Sequence, residues 1–117
     1  MHKLLVKGLT LICCVLLITV SQAQDEGTWV GEVVDLDCYV ANGASGAGHA
    51  QCAQSCMKSG KPMGLLTESG DVILLVPGEK ADALIALAGE KVEVKGAKTE
   101  RGGITMVVVS DAKKAEG

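Results

Sequence analysis

Four side chains able to hold a soft ion fall within nineteen positions of one another: Cys38, His49, Cys52 and Cys56. Past residue 23 the chain of 117 has no other cysteine and no other histidine. A helix written from Gly48 to Ser59 puts positions 49, 52 and 56 on one face, because residues three and four apart share a side of a helix. Cys38, at the end of a strand-like run, approaches that face across a glycine-bearing loop. One imidazole and three thiolates make four donors, the number that fills a tetrahedral site. Thiolates favour Zn²⁺ and Cu(I), and imidazole suits both. Met57 follows Cys56 directly and Met63 lies past the Gly-Lys-Pro turn, so thioethers stand by as auxiliary ligands and tilt the choice towards Cu(I). A blue-copper set needs two histidines, and covalent haem attachment usually needs Cys-x-x-Cys-His; neither pattern is present.

The competing chemistry is a disulfide. Three cysteines allow one bridge and leave one thiol over. Cys38 with Cys52 or with Cys56 would tie the first strand to the helix and stabilise it by about 2–4 kcal/mol. Under that alternative the chain is a non-enzymatic binding module that meets an envelope protein partner through the same segment. Thiol exchange of the thioredoxin kind lacks its Cys-x-x-Cys. Hydrolysis lacks a Gly-x-Ser-x-Gly elbow beside the one histidine, so no catalytic residue is assigned. Asp35 and Asp37 are either turn residues or outer supports for a ligand.

The elements that must position these groups follow from the rest of the chain. Residues 1–23 have the parts of a secretory signal: basic His2, Lys3 and Lys7, an apolar run from Leu9 to Val20, and a small-x-small site at Ser21-Gln22-Ala23. The expectation is an exported protein, periplasmic or secreted, that meets a membrane only through this segment if it is retained. Cys13 and Cys14 leave with the signal, and Leu11-Ile12 before them lack the small residue of a lipidation site. Residues 24–117 then form one domain carrying 9 basic and 14 acidic side chains, a net charge of about −5. That balance, with Trp29 and Tyr39 the only aromatics, excludes a nucleic-acid partner, which demands cationic contacts and stacking faces.

Thr28–Leu36 reads as a first strand, with Gly31 marking a bend or bulge. Met63–Glu68 and Asp71–Val76 read as a hairpin around Ser69-Gly70. Glu79–Ala88 has helical spacing, and Lys91–Thr99 and Ile104–Ser110 form a closing pair, with Met106 in the core and Asp111–Gly117 a fraying tail. The fold class is all-β with short helices: a five-stranded small barrel whose helical Cys/His insertion, residues 37–62, lies between strands 1 and 2. The segments Ala88-Gly-Glu-Lys-Val-Glu-Val-Lys-Gly and Arg-Gly-Gly-Ile-Thr-Met-Val-Val-Val resemble the last two strands of small exported bacterial OB-fold proteins. Asp35-x-x-Cys38-Tyr39…His49-x-x-Cys52-x-x-x-Cys56 is similar to a segment of small uncharacterised proteins of that kind. The resemblance implies an OB-like barrel and no particular activity.

Overall fold

A computed structural model describes residues 25–116; the signal-like segment 1–23, with Cys13 and Cys14, lies outside the described residues. Strand β1 (Asp25–Asp35) is followed by helix α1 (Leu36–Asn42), a single 3-10 turn at Ala47–His49 and helix α2 (Ala50–Lys58). Then come β2 (Met63–Thr67), β3 (Val72–Val76), helix α3 (Ala81–Ala86), β4 (Lys91–Arg101) and β5 (Ile104–Lys114). Hydrogen bonding runs β1-β2-β3-β5-β4 and returns from β4 to β1, so the sheet closes as a ring. All pairs are antiparallel except β3 with β5, which meet in parallel at Leu74↔Met106, Leu75↔Val107 and Val76↔Val108. Among the described residues no helix is long and apolar enough to cross a membrane.

Strand β1 serves two neighbours. Its first part pairs with β4, from Asp25↔Lys98 to Glu32↔Lys91, and its last part with β2, from Gly31↔Thr67 to Asp35↔Met63. Gly31 lies in the overlap, bonded on both sides. The registers there are continuous, so Gly31 makes no bulge: a Cβ would strike the Leu66 backbone oxygen, and glycine is required by close approach. The bulge lies instead in β4, between Lys95 and Gly96.

Alternation along the strands sends Val33, Leu65, Ile73, Leu75, Val92, Val94, Val107 and Val109 inwards, and Leu84 and Ile85 of α3 close the cluster. Fully burying each such side chain is worth about 1.5–3 kcal/mol, which is how a chain nearly without aromatics supports a core. Alternation and strand pairing correct three expectations. Met106 points outwards beside Leu74 and Ile104, because its neighbours Val107 and Val109 take the inward positions. β1 starts at Asp25, since residues 25–27 pair with Gly96–Lys98. The polar stretch 111–114 does not fray: it extends β5 along Val92–Lys95, with Asp111, Lys113 and Lys114 exposed.

The insertion spans the connection from β1 to β2 and has two helices where one was expected. Its ends are drawn together by the Leu36 amide, which donates to the Pro62 carbonyl at 2.9 Å. α2 is anchored by its apolar side, with Ala53 and Met57 inside the core cluster. At its start Ala50 packs on the turn before β4, where Gly89 has φ 77° and a Cβ would lie 2.9 Å from that of Ala50. The glycine loop is pinned to β1 by the Gly46 amide, which donates to Glu32 Oε2 at 2.6 Å.

Candidate metal centre

Asp35 ends β1 and begins α1. Its backbone is extended (φ −78°, ψ 130°), and its Oδ1 accepts the Cys38 amide at 2.8 Å, the N-cap geometry that satisfies a free donor in a first helical turn. Gly43 closes α1 in the left-handed region, φ 69°, where a residue without Cβ is at ease. This seven-residue helix, unforeseen from periodicity, carries Cys38 off the strand end and turns it towards α2.

The carboxylate of Asp35 is fully buried, and its second oxygen, Oδ2, lies 3.1 Å from His49 Nε2. An ionised carboxylate only accepts, so Nε2 is the donor of this contact. Burial pushes the Asp35 carboxyl up, but the Cys38 amide, the imidazole and the Cys38 thiol outweigh it and hold the group below 3.8. The Cys38 thiol is driven the other way: bonding to Asp35, desolvation and the neighbouring carboxylate charge push it up to about 12. Burial and the Asp35 charge likewise raise Cys56. A thiol held protonated is the opposite of an activated nucleophile.

Two overlapping donor groups result. Cys38, Cys52 and Cys56 have ligand atoms within 4.8 Å of one another, and so do Asp35, Cys38 and His49, with Cys38 common to both. Cys52 and Cys56 stand one turn apart on α2, as their spacing required. His49 stands at the N-cap of α2 and joins the cysteines only through Cys38; its nearest polar partner is the carboxylate. The three thiols are free, so neither expected bridge, Cys38 with Cys52 or with Cys56, is formed. Met57 and Met63 are 4% and 5% exposed members of the hydrophobic core, and apolar packing accounts for both. Asp37 is on the surface, paired with Lys61 at 2.9 Å, and that ammonium faces the Cys56 and Cys38 side of the cluster.

The residue the spacing undervalued is Asp35. Its signal was present in Asp-x-x-Cys, the offset at which an N-cap side chain meets the third helical amide. The Cys/His/Asp cluster is within metal-binding distance and compatible with binding a metal ion. Comparison of the chain with protein-family models, curated proteins and solved structures finds no match.

Proposed function

We propose that this is an exported cell-envelope protein, built on an OB-like ring, that binds one transition-metal ion for carriage, buffering or sensing. Cys38, Cys52 and Cys56 are its ligands and Cu(I) or Zn²⁺ its ion, since thiolates select both. The observation that carries the reading is the convergence of three free thiols from two helices within 4.8 Å. Asp35 supports it twice. It places Cys38 through the helix cap, and it holds His49 beside Cys38 as carboxylates hold metal-bound imidazoles. Its buried negative charge also favours a cation beside it.

The test is to express the full chain with its N-terminal segment in a bacterial host, purify the exported form, and measure bound metal and reactive thiols after unfolding. The reading requires close to one equivalent of copper or zinc and three reactive thiols. No metal together with one reactive thiol would overturn it.

A further inference from the structure

We infer that Cys52 is the exchange ligand of the three-thiol group, so that the ion held there is cargo handed to an incoming thiolate. This inference rests on the metal-binding reading. It comes from the unequal setting of the three sulfurs. Cys38 is half-buried on a helix whose first turn is clamped by the Asp35 cap and by the bond from Leu36 to Pro62. Cys56 is half-buried next to core residue Met57, and its carbonyl accepts from Ser59 Oγ at 2.7 Å and from the Lys61 amide at 3.1 Å. Cys52 is exposed, one turn nearer the start of α2. The group is therefore a cup with two fixed inner walls and one ligand on the rim.

A structural zinc site closes four ligands around its ion, whereas a site that turns over keeps an approach open. Here the approach lies over Cys52. Gly48, four positions before it, and Ser55, three after it, are exposed and carry no charge that would repel an anionic sulfur. In the exchange, the incoming sulfur bonds to the ion and the bond from Cys52 Sγ breaks. The proton of the incoming thiol passes through solvent to the Cys52 thiolate. No electron moves and the ion keeps its oxidation state. Cys38 and Cys56 retain the ion until a second external donor completes the transfer. The acceptor is accordingly a molecule presenting thiolate sulfur.

The exported form, loaded anaerobically with one equivalent of Cu(I), is mixed with glutathione as the incoming thiol and bicinchoninate as the coloured final acceptor. For the unaltered chain, the release rate should rise in proportion to glutathione. Cys52→Ser should still carry Cu(I) through gel filtration, but release it at least tenfold faster and independently of glutathione; Cys38→Ser and Cys56→Ser should not retain it. Circular dichroism checks that each variant is folded. Iodoacetamide footprinting of the loaded, unaltered chain should label Cys52 at least tenfold faster than Cys38 or Cys56. Equal protection of the three thiols, or equal loss of retention in all three variants, would sink the exchange role while leaving the metal site standing. Failure of the unaltered chain to take up Cu(I) or Zn²⁺ would remove both.

Discussion

Asp35 Oδ2 and His49 Nε2 stand 3.1 Å apart, although fourteen positions of chain separate the two residues. The other oxygen of the same carboxylate caps α1 through Cys38, so one buried side chain holds the starts of α1 and α2 together. Removing it leaves a capping amide and an imidazole without their acceptor. Asp35→Ala should therefore destabilise the metal-free protein by about 2–4 kcal/mol, combining a lost N-cap with a lost charge-assisted bond. Asp35→Asn keeps the cap and should cost about half as much. Urea denaturation followed by circular dichroism measures both.

Stability should fall at both ends of the pH scale, for separate reasons. Cys38 is held up to about 12 against an ordinary 9.0, so the unfolded chain loses this proton first. The stability it contributes is complete below 9.0 and declines as pH climbs through 12. Asp35 is held below 3.8, so its contribution is present above that value and is lost as pH falls through the lower, folded one. Cys38→Ser should flatten the alkaline limb of a melting-temperature profile and leave the acid limb in place.

Metal uptake should be proton-coupled. Cys38 and Cys56 both hold their protons more firmly than a free thiol does, and an ion must displace both. The logarithm of the apparent affinity should rise by about two or more per pH unit through neutrality, one for each proton released. Competition titrations with a chromophoric chelator at several pH values read this slope. A slope near zero would show that the thiols are not the ligands.

His49 separates the two candidate ions. It belongs to the Asp35 and Cys38 group, apart from Cys52 and Cys56. With Cu(I), which three sulfurs satisfy, His49→Ala should weaken binding less than any of the Cys→Ser changes. With Zn²⁺, which seeks a fourth donor, it should weaken binding about as much as they do. Affinities of the four single variants for each ion decide between these.

Much of the ring could be read directly from residue order, because strands reveal themselves by alternation and turns by glycine. Val92 and Val94, or Ser69-Gly70, needed no partner to be recognised. What depended on pairing was not legible. Asp25–Gly27 and the stretch 111–114 are polar and look loose in isolation, yet β4 supplies hydrogen bonds to both. The side taken by Met106 is not legible either, because an unbroken apolar run does not say which parity faces inwards; the burial of Val107 and Val109 settles that. At the site, the spacing of Cys52 and Cys56 was sufficient, since one helix carries both. Helix α1 was hidden by its brevity: seven residues give too few turns for periodicity, and only the cap at Asp35 announces it.

Gly31 offers a check on the ring that is independent of the site. β1 is bonded on both sides there, and an added methyl would strike the Leu66 carbonyl. Gly31→Ala should cost about 1–3 kcal/mol, as overpacking of a tight approach does. Chemical denaturation measures the loss, and it should appear equally with and without metal.

The bond from Leu36 to Pro62 brings the start and finish of residues 36–62 side by side, next to the paired residues Asp35 and Met63. Geometrically the whole segment leaves and rejoins the scaffold through a single gate, and beyond it α2 and the glycine loop tie it to the ring. Lineages could exchange, shorten or duplicate such a pendant without redrawing the framework beneath it. The framework would have to refill the places of Ala53 and Met57 and find new partners for Glu32 and the turn at Gly89.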